Sequence, residues 1–295
     1  MAKLLASVKR HIRTWVQFCF TALTNGYAAG FAKGNIYKGP TKAFCVPGLN
    51  CYSCPGALGA CPIGSFQAVL GSRDYKFAFY VAGFLIFVGA LLGRFVCGWL
   101  CPFGLVQDLL YKIPFFKKRK KLPGDRWLKY LKYVILIGFV IVLPLTVLDI
   151  VGQGQPWFCK YICPSGTLFA GVPLVGANPA LRGAVGWLFT WKMAILVVLL
   201  LLSVWVYRPF CHYLCPLGAI YGLFNPVAFH RFSVDEDKCT KCGLCQKACK
   251  LDIPVYKTPN SPECIRCGDC RKACPHGAIC TGSRKQRDKE TKETL

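Results

Sequence analysis

A cysteine motif that recurs at the ends of apolar segments constrains this chain more than any other feature of its sequence. Residues 208–218 read R-P-F-C-H-Y-L-C-P-L-G and residues 94–104 read R-F-V-C-G-W-L-C-P-F-G, each directly after a hydrophobic run. The tetrapeptide Cys-Pro-x-Gly occurs at Cys61, Cys101, Cys163, Cys215 and Cys274. Cysteines at such short spacings suit metal or iron–sulfur ligation better than long-range disulfides.

The composition indicates that most of the chain lies in a membrane. Hydrophobic residues make up 54% of the sequence and the mean hydropathy is +0.39, above the usual range of soluble domains. Lys and Arg number 37 against 13 Asp and Glu. Because the positive residues flank apolar segments, they indicate a positive-inside membrane topology. Nucleic-acid binding, the usual explanation for such a charge balance, is therefore not expected.

Four segments, each near the roughly 20 residues that a bilayer core requires, are predicted to span the membrane. The first contains Gln17 and Asn25, and an interfacial helix is the alternative for it. The densest basic stretch, within 97–132, is placed in the cytoplasm. The predicted spans are 14–32, 75–95, 133–148 and 187–207.

This topology predicts an all-α, multi-pass membrane domain at residues 1–230, in the inner membrane of a prokaryote, with both termini cytoplasmic. Loops 33–74 and 149–186 then lie outside the cell. Two halves, about 12–115 and 127–226, carry the same order of spans and cysteines. Such an internal repeat brings equivalent positions together around a pseudo-symmetry axis.

The segment 231–282 is predicted to be a small α+β domain like the bacterial two-cluster ferredoxins, followed by a charged, disordered tail at 283–295. It contains two C-x-x-C-x-x-C-x-x-x-C runs, and in this pattern the fourth cysteine of each run ligates the other cluster. Structural zinc is the alternative. The predicted ligands are Cys239, Cys242, Cys245 and Cys274 for one 4Fe–4S cluster, and Cys264, Cys267, Cys270 and Cys249 for the other.

The membrane part is predicted to hold two further 4Fe–4S clusters. Proline after each cysteine suits the first position of a helix, and the glycine permits close backbone approach. Arg94 and Arg208 either balance the cluster charge or anchor the spans at the interface. The predicted ligands on the inner side are Cys97, Cys101, Cys211 and Cys215.

The outer ligand set is less regular. Cys159, Cys163 and Cys61 are expected to belong to it, but Ala57 stands where a second cysteine of the first motif would fall. The fourth ligand is then Cys51 or Cys54, with Cys45 as an alternative or as part of a further cluster. Extracytoplasmic disulfides are the competing interpretation. Cys19 and Cys280 are expected to play no part.

These residues resemble the membrane polyferredoxins of the quinol-dehydrogenase type, which include the NapH-like subunit of nitrate reduction. They are also similar to the iron–sulfur half of the nitrous-oxide-reductase accessory proteins. The resemblance covers roughly residues 75–280 and implies membrane helices, a cytoplasmic ferredoxin domain and electron exchange with quinol or a redox partner. The additional outer cysteines depart from that pattern. They suggest a relay to the outer face, with a flavin- or metal-containing partner there.

The expected function is therefore electron transfer, as a subunit of an oxidoreductase complex, in a reducing, anaerobic setting. Electrons would pass between a cytoplasmic partner and a quinone or an extracytoplasmic partner. A redox-sensing or maturation factor is the alternative. One physical difficulty is distance, since a hydrocarbon core of about 30 Å is too long for a single hop unless the motifs dip inward.

Overall fold

The computed structural model describes residues 2–72, 75–114, 118–149, 153–183 and 185–282, so the charged tail expected at 283–295 lies outside the described residues. The described residues fold into helices joined by irregular loops, with one small sheet at the carboxyl end. In chain order the helices are α1 Ala2–Thr24, α2 Ala28–Lys33, α3 Pro62–Ser72, α4 Tyr75–Leu92, α5 Phe95–Trp99, α6 Pro102–Tyr111, α7 Asp125–Thr146, α8 Trp157–Tyr161, α9 164–177, α10 Pro179–Gly183, α11 Trp187–Trp205, α12 Pro209–Tyr213, α13 Pro216–Phe224, α14 Leu244–Ala248 and α15 Asp269–Lys272.

Within the described ranges, α7 and α11 are long and apolar enough to cross a membrane. They have 22 and 19 residues with mean hydropathies of 2.0 and 2.2, and the segment Phe79–Leu92 of α4 is a shorter apolar helix. Helix α7 contains a π-helical stretch at Leu136–Val142 and accommodates Pro144 in its last turn. Length and composition thus identify two candidate spans where the sequence predicted four.

The prediction of one span over 14–32 is wrong in its bounds. Helix α1 ends at Thr24, and a new short helix starts at Ala28. The side-chain amide of Asn25 donates to the carbonyl of Thr21, and the hydroxyl of Thr24 donates to the carbonyl of Phe20. These local hydrogen bonds satisfy the end of the helix and compete with its continuation.

Three of the five cysteine motifs, those at Cys101, Cys163 and Cys215, form the same local structure, a short helix broken at the cysteine that precedes proline. Helices α5, α8 and α12 have five residues each, and the following helices begin with proline. Cys101, Cys163 and Cys215 are extended, with ψ of 119°, 108° and 114°. The proline lies at the first helical position, as predicted, where its missing N–H costs no hydrogen bond.

The carboxyl segment forms a two-stranded antiparallel sheet, β1 Phe232–Val234 paired with β2 Ile279–Thr281, together with α14 and α15. Gly243 and Gly268 precede the two helices with φ of 74° and 82°. Because this left-handed conformation strains other residues, glycine permits the tight turn inside each cysteine run.

Asn225 joins this segment to the helices, and its side chain is fully buried. Its Oδ1 accepts from the N–H of Arg94 at 2.9 Å, while its Nδ2 donates to the carbonyls of Ser261 and Cys264 at 2.9 and 2.8 Å. The carbonyl of Asn225 in turn accepts from Arg266 at 2.7 Å. One side chain thus bonds the loop before α5 to the loop that carries the ferredoxin cysteines.

We expect Asn225→Ala to loosen this junction, because three buried backbone groups lose their partner, each at about 1–3 kcal/mol. The measurement is the temperature at which iron–sulfur absorbance is lost from purified protein, with Asn35→Ala at an exposed asparagine as the control. Equal temperatures for the two variants would contradict the role given to Asn225.

Candidate functional site: four cysteine sets

The inner cysteine set is brought together by the turns between α5 and α6 and between α12 and α13. Its thiols are 5% exposed and are close enough to influence one another electrostatically. The two turns come from parts of the chain more than a hundred residues apart. The set consists of Cys97, Cys101, Cys211 and Cys215.

Arg94 and Arg208 cross between these two turns. The guanidinium of Arg94 donates to the carbonyl of Cys211 at 2.8 Å, and that of Arg208 donates to the carbonyl of Cys97. Both side chains are 1% exposed. They therefore hold each turn against the other and place positive charge beside the thiols. Of the two roles considered from the sequence, the buried position favours charge balance over interface anchoring.

An outer set lines a cavity of about 550 Å³. The cavity selects among the candidate ligands, because Cys51 lines it, whereas Cys54 points its thiol at Asn25 Oδ1, 3.5 Å away. Cys45 lies beside Ala60 in a short parallel backbone pairing and is also absent from the described lining. The cysteines that line this cavity are Cys51, Cys61, Cys159 and Cys163.

Two motif glycines lie close to thiols of the outer set. A Cβ at Gly166 would lie 3.4 Å from the Cys51 sulfur, and one at Gly64 would lie 3.8 Å from the Cys159 sulfur. Each glycine therefore faces a thiol from the opposite part of the chain. At these distances a Cβ would make ordinary van der Waals contact, so a requirement for glycine at these two positions stays a prediction.

The carboxyl segment contains two small cavities of about 20 Å³ each, and each is lined by four cysteines. The fourth cysteine of each run joins the other run's set, which is the pairing that the spacing predicts. Cys19 and Cys280 line none of the three described cavities. The two sets are Cys239, Cys242, Cys245 and Cys274, and Cys249, Cys264, Cys267 and Cys270.

The donor chemistry of these sets fits 4Fe–4S clusters, which are held by four cysteine thiolates. Burial raises the pKa of the Cys163 and Cys211 thiols to about 11, so at neutral pH a bound metal must displace their protons. Among the described residues, no three Cys, His, Asp or Glu side chains converge tightly enough to hold a single metal ion.

The inner set touches the second ferredoxin set through backbone. Gly98 lies between Cys97 and Cys101, and a Cβ there would come within 2.3 Å of the carbonyl oxygen of Ile265. The indole N–H of Trp99 donates to the carbonyl of Arg266 at 3.1 Å. The two ligand loops are thus in direct contact.

Leu49 connects the inner and outer sets. Its carbonyl accepts from the hydroxyl of Ser165 at 3.3 Å, and it lines the outer cavity. Beside it, a Cβ at Gly48 would lie 3.2 Å from the Cα of Cys101, and the hydroxyl of Tyr221 donates to the carbonyl of Pro47. The loop that carries Cys51 therefore lies against Cys101 of the inner set and against the turn that follows Cys163 of the outer set.

Comparison with known proteins identifies the class of these sites. A family model described as a 4Fe-4S binding domain matches residues 77–123, 131–176 and 187–233, and a second model with the same description matches residues 232–254. The matches cover three of the membrane-part motifs and the first ferredoxin run. The chain is a protein of the 4Fe–4S ferredoxin type.

The curated relatives of this ferredoxin-type protein include electron-transfer proteins. It is 27% identical to a putative electron transport protein, YccM, from Escherichia coli, over 58% of the chain and 45% of the relative. It is 28% identical to the methylamine utilization ferredoxin-type protein MauN from Paracoccus denitrificans, over 70% and 60%. It is 26% identical to the regulatory protein NosR from Pseudomonas aeruginosa, over 55% and 21%.

The chain spans about half of the length of the curated relatives that it matches. No solved structure matches it. The resemblance to ferredoxin-type membrane proteins is confirmed at the level of the 4Fe–4S family, whereas NapH-like specificity stays a prediction.

Sequence reasoning missed a buried charge network between the inner set and the ferredoxin-type segment. Glu263, just before Cys264, pairs with Arg94 at 2.9 Å and with Lys132. Burial disfavours the charged carboxylate, but Arg94 and Lys132 outweigh it and lower the pKa of Glu263 to about 2. His212 Nε2 lies 3.5 Å from the same carboxylate, and its ring is buried.

A substitution series should identify the outer ligands. We expect Cys51→Ala to lose about four of the sixteen iron atoms that four 4Fe–4S clusters hold, while Cys54→Ala and Cys45→Ala retain them. The measurement is iron and acid-labile sulfide per chain after anaerobic purification. Loss of iron in the Cys54 variant, with Cys51→Ala unchanged, would contradict the assignment from the cavity.

Asp108 supports Arg208, with which it pairs through Nε at 2.8 Å, and it also pairs with Arg13. Burial opposes ionisation, but the two guanidinium groups lower the pKa of Asp108 from 3.8 to about 2. The ionised Asp108 carboxylate therefore stabilises the fold fully above about pH 4. This stabilisation is lost as the pH falls towards 2 and the carboxylate is protonated.

We expect Asp108→Asn to destabilise the protein at pH 7 by about 3–5 kcal/mol, because the buried Arg208 loses its counter-charge. Thermal denaturation followed by circular dichroism measures the effect. Asp237→Asn, at an exposed carboxylate, serves as the control. A melting temperature equal to that of the control would show that Arg208 does not depend on Asp108.

Proposed function

We propose that the protein is a multi-pass membrane subunit that carries electrons between a cytoplasmic redox partner and a quinone or an extracytoplasmic redox partner. Four 4Fe–4S clusters would be bound by the four cysteine sets, each cluster supplying a one-electron couple. The observation that carries this proposal is that the ligand loops contact one another in series, through Gly98 and Ile265 and then through Gly48 and Leu49.

The series has an exposed end in the ferredoxin-type segment. Cys242, in the first set, is exposed, whereas Cys264 and Cys270 of the second set are buried. A partner can therefore approach the first set most closely. The second ferredoxin set lies against Gly98 of the inner set. An electron that enters at Cys242 would therefore pass through the first ferredoxin set, the second ferredoxin set, the inner set and the outer set, in that order.

The loop through Gly48 and Leu49 would shorten the distance that an electron must cross between the inner and outer sets. If the inner and outer sets lay at opposite faces of a bilayer, the gap would approach the core thickness of about 30 Å. Instead, Gly48 lies against the backbone of Cys101, and the carbonyl of the next residue, Leu49, accepts from Ser165, two residues after Cys163. Electrons would then cross in several short steps along the chain's own ligand loops.

The proposed membrane placement puts the ferredoxin-type segment in the cytoplasm and the Cys51 cavity towards the outside. Helices α7 and α11 provide two spans, and α1 and α4 are proposed as the other two. Trp187 and Trp191 at the start of α11 are exposed, as expected for an aromatic belt, and Val198 and Leu201 expose apolar surface further along it. These features support an inner-membrane location.

The outer end has room for an electron-exchange partner. Its cavity of about 550 Å³ far exceeds the cavities of about 20 Å³ at the two ferredoxin sets, although all three are lined by four cysteines. Phe189 and Lys192 also line it, and Lys192 donates to the carbonyl of Cys159 at 3.1 Å. A quinone ring, or a group from a flavin- or metal-containing partner, could approach the outer set there.

A regulatory role is the second candidate, because one matched relative is named a regulatory protein. In that role the clusters would report the redox state without conducting electrons across the membrane. The two functions differ in whether an electron added at the cytoplasmic face emerges at the outer face.

The proposal predicts electron transfer across a membrane by the protein alone. We would trap ferricyanide inside proteoliposomes, add dithionite outside, and collapse the membrane potential with valinomycin and potassium. Wild-type protein should bleach the trapped ferricyanide faster than empty vesicles do. The double variant Cys159→Ala, Cys163→Ala should lose this acceleration, because the outer set is then incomplete.

Gly98→Ala tests the contact between the inner and second ferredoxin sets. It should slow bleaching while retaining iron, since a Cβ would push the carbonyl of Ile265 away. The matched control is Gly83→Ala, where a Cβ would have open space around it. If the Cys159→Ala, Cys163→Ala variant bleached ferricyanide at the wild-type rate, the proposed route through the outer set would be contradicted. Wild-type protein that is fully loaded with iron but no faster than empty vesicles would favour the regulatory role.

A further inference from the structure

Two buried glutamines occupy the same position in two different cysteine motifs. Gln67 follows Cys61 by six residues, and Gln107 follows Cys101 by six residues. Both side chains are 0% exposed. We infer that Gln67 and Gln107 are positioning residues that set the reduction potentials of the outer and inner clusters, an inference that rests on the cluster binding proposed above.

Gln107 reaches across the inner set to the opposite turn. Its Nε2 lies 3.1 Å from the sulfur of Cys211, and its Oε1 accepts from the backbone N–H of Phe210 at 3.2 Å. The same Nε2 also donates to the carbonyl of Phe103, one turn earlier in its own helix. The amide therefore bridges the two halves of the set and has no unused polar atom.

Gln67 repeats this arrangement at the outer set. Its Nε2 lies 3.3 Å from the sulfur of Cys159, and its Oε1 accepts from the backbone N–H of Phe158 at 3.0 Å. Its Nε2 also donates to the carbonyl of Ile63. In each site the glutamine contacts the first cysteine of the opposite motif and the N–H of the residue before that cysteine.

The contact with the backbone fixes which amide atom faces sulfur. A backbone N–H can only donate, so the atom that meets it must be the acceptor Oε1. The donor Nε2 is then directed at the cysteine sulfur and at the helix carbonyl. This orientation follows from the hydrogen-bond network, and a flipped amide would place two donors against each other.

Each set combines two cysteine motifs, and only one of the two has glutamine six residues after the cysteine that precedes proline. The residues six positions after Cys163 and Cys215 are Phe169 and Tyr221, neither of which is an amide. Packing alone is therefore compatible with an aromatic residue at this point. The glutamines add a hydrogen bond that is directed to one ligand sulfur in each set.

A hydrogen bond to a ligand sulfur stabilises the electron-rich, reduced form of a cluster more than the oxidised form. Hydrogen bonds to the sulfurs are among the factors that set iron–sulfur potentials, and burial in a low-dielectric environment strengthens them. Removing the amide should therefore lower the midpoint potential of the cluster that it touches. The two glutamines would let the chain adjust its two membrane-part clusters separately.

The experiment is an anaerobic redox titration of Gln67→Leu and Gln107→Leu, followed by electron paramagnetic resonance and paired with iron analysis. We expect each variant to keep wild-type iron and to shift one cluster to lower potential. The shifted signal should be the one absent from Cys159→Ala, Cys163→Ala for Gln67, and the one absent from Cys97→Ala, Cys101→Ala for Gln107. Phe169→Leu is the matched control and should shift neither potential.

Gln67→Glu and Gln107→Glu provide a second test, because glutamate keeps the acceptor for the backbone N–H but replaces the amide donor. The negative charge of glutamate lowers the potential by itself, so the glutamate variants should shift the same cluster as the leucine variants do, and further. Unchanged potentials with full iron would overturn the inference while leaving the proposed function intact. Loss of iron in both the leucine and the glutamate variants would assign the glutamines a purely structural role and would also overturn it.

Discussion

The crossed hydrogen bonds of Arg94 and Arg208 are the interaction on which the rest of this structure depends. Each guanidinium starts from one cysteine turn and donates to a carbonyl of the other, which brings four thiols from distant parts of the chain around one point. Buried guanidinium groups are costly unless they are paired. Asp108 and Glu263 supply the pairing, so the inner set is stabilised by charges that also reach α1 and the ferredoxin-type segment.

The same charges place the cysteine sets in sequence. Glu263 stands immediately before Cys264, so its pair with Arg94 holds the second ferredoxin set against the turn that contains Gly98. On the other side, the loop through Gly48 and Leu49 lies against Cys101 and lines the outer cavity. Small residues at Gly48 and Gly98 allow backbone to approach ligand loops, where a larger residue would separate the sets.

Some of this arrangement was predictable from local sequence. Proline and glycine after each cysteine predict a helix start and a close approach, because both effects depend on the residue itself. The exchange of the fourth cysteine between ferredoxin runs follows from spacing. The outer ligand was not predictable, since Cys51 and Cys54 belong to one short loop and differ in which way that loop turns them. The bounds of the first predicted span were also not predictable from composition, because α1 ends at Thr24 through local hydrogen bonds.

The sequence by itself determined the chemistry of this protein, because cysteine spacing and apolar runs are local properties that define iron–sulfur ligands and candidate spans. Tertiary structure alone decided which thiols meet, that the loop through Gly48 and Leu49 lies against the turns of two sets, and that Gln67 and Gln107 face sulfur. These facts depend on the packing of segments about a hundred residues apart. The physical reason is that a buried polar group takes whichever partner the fold brings to it, and its own sequence neighbours do not specify that partner.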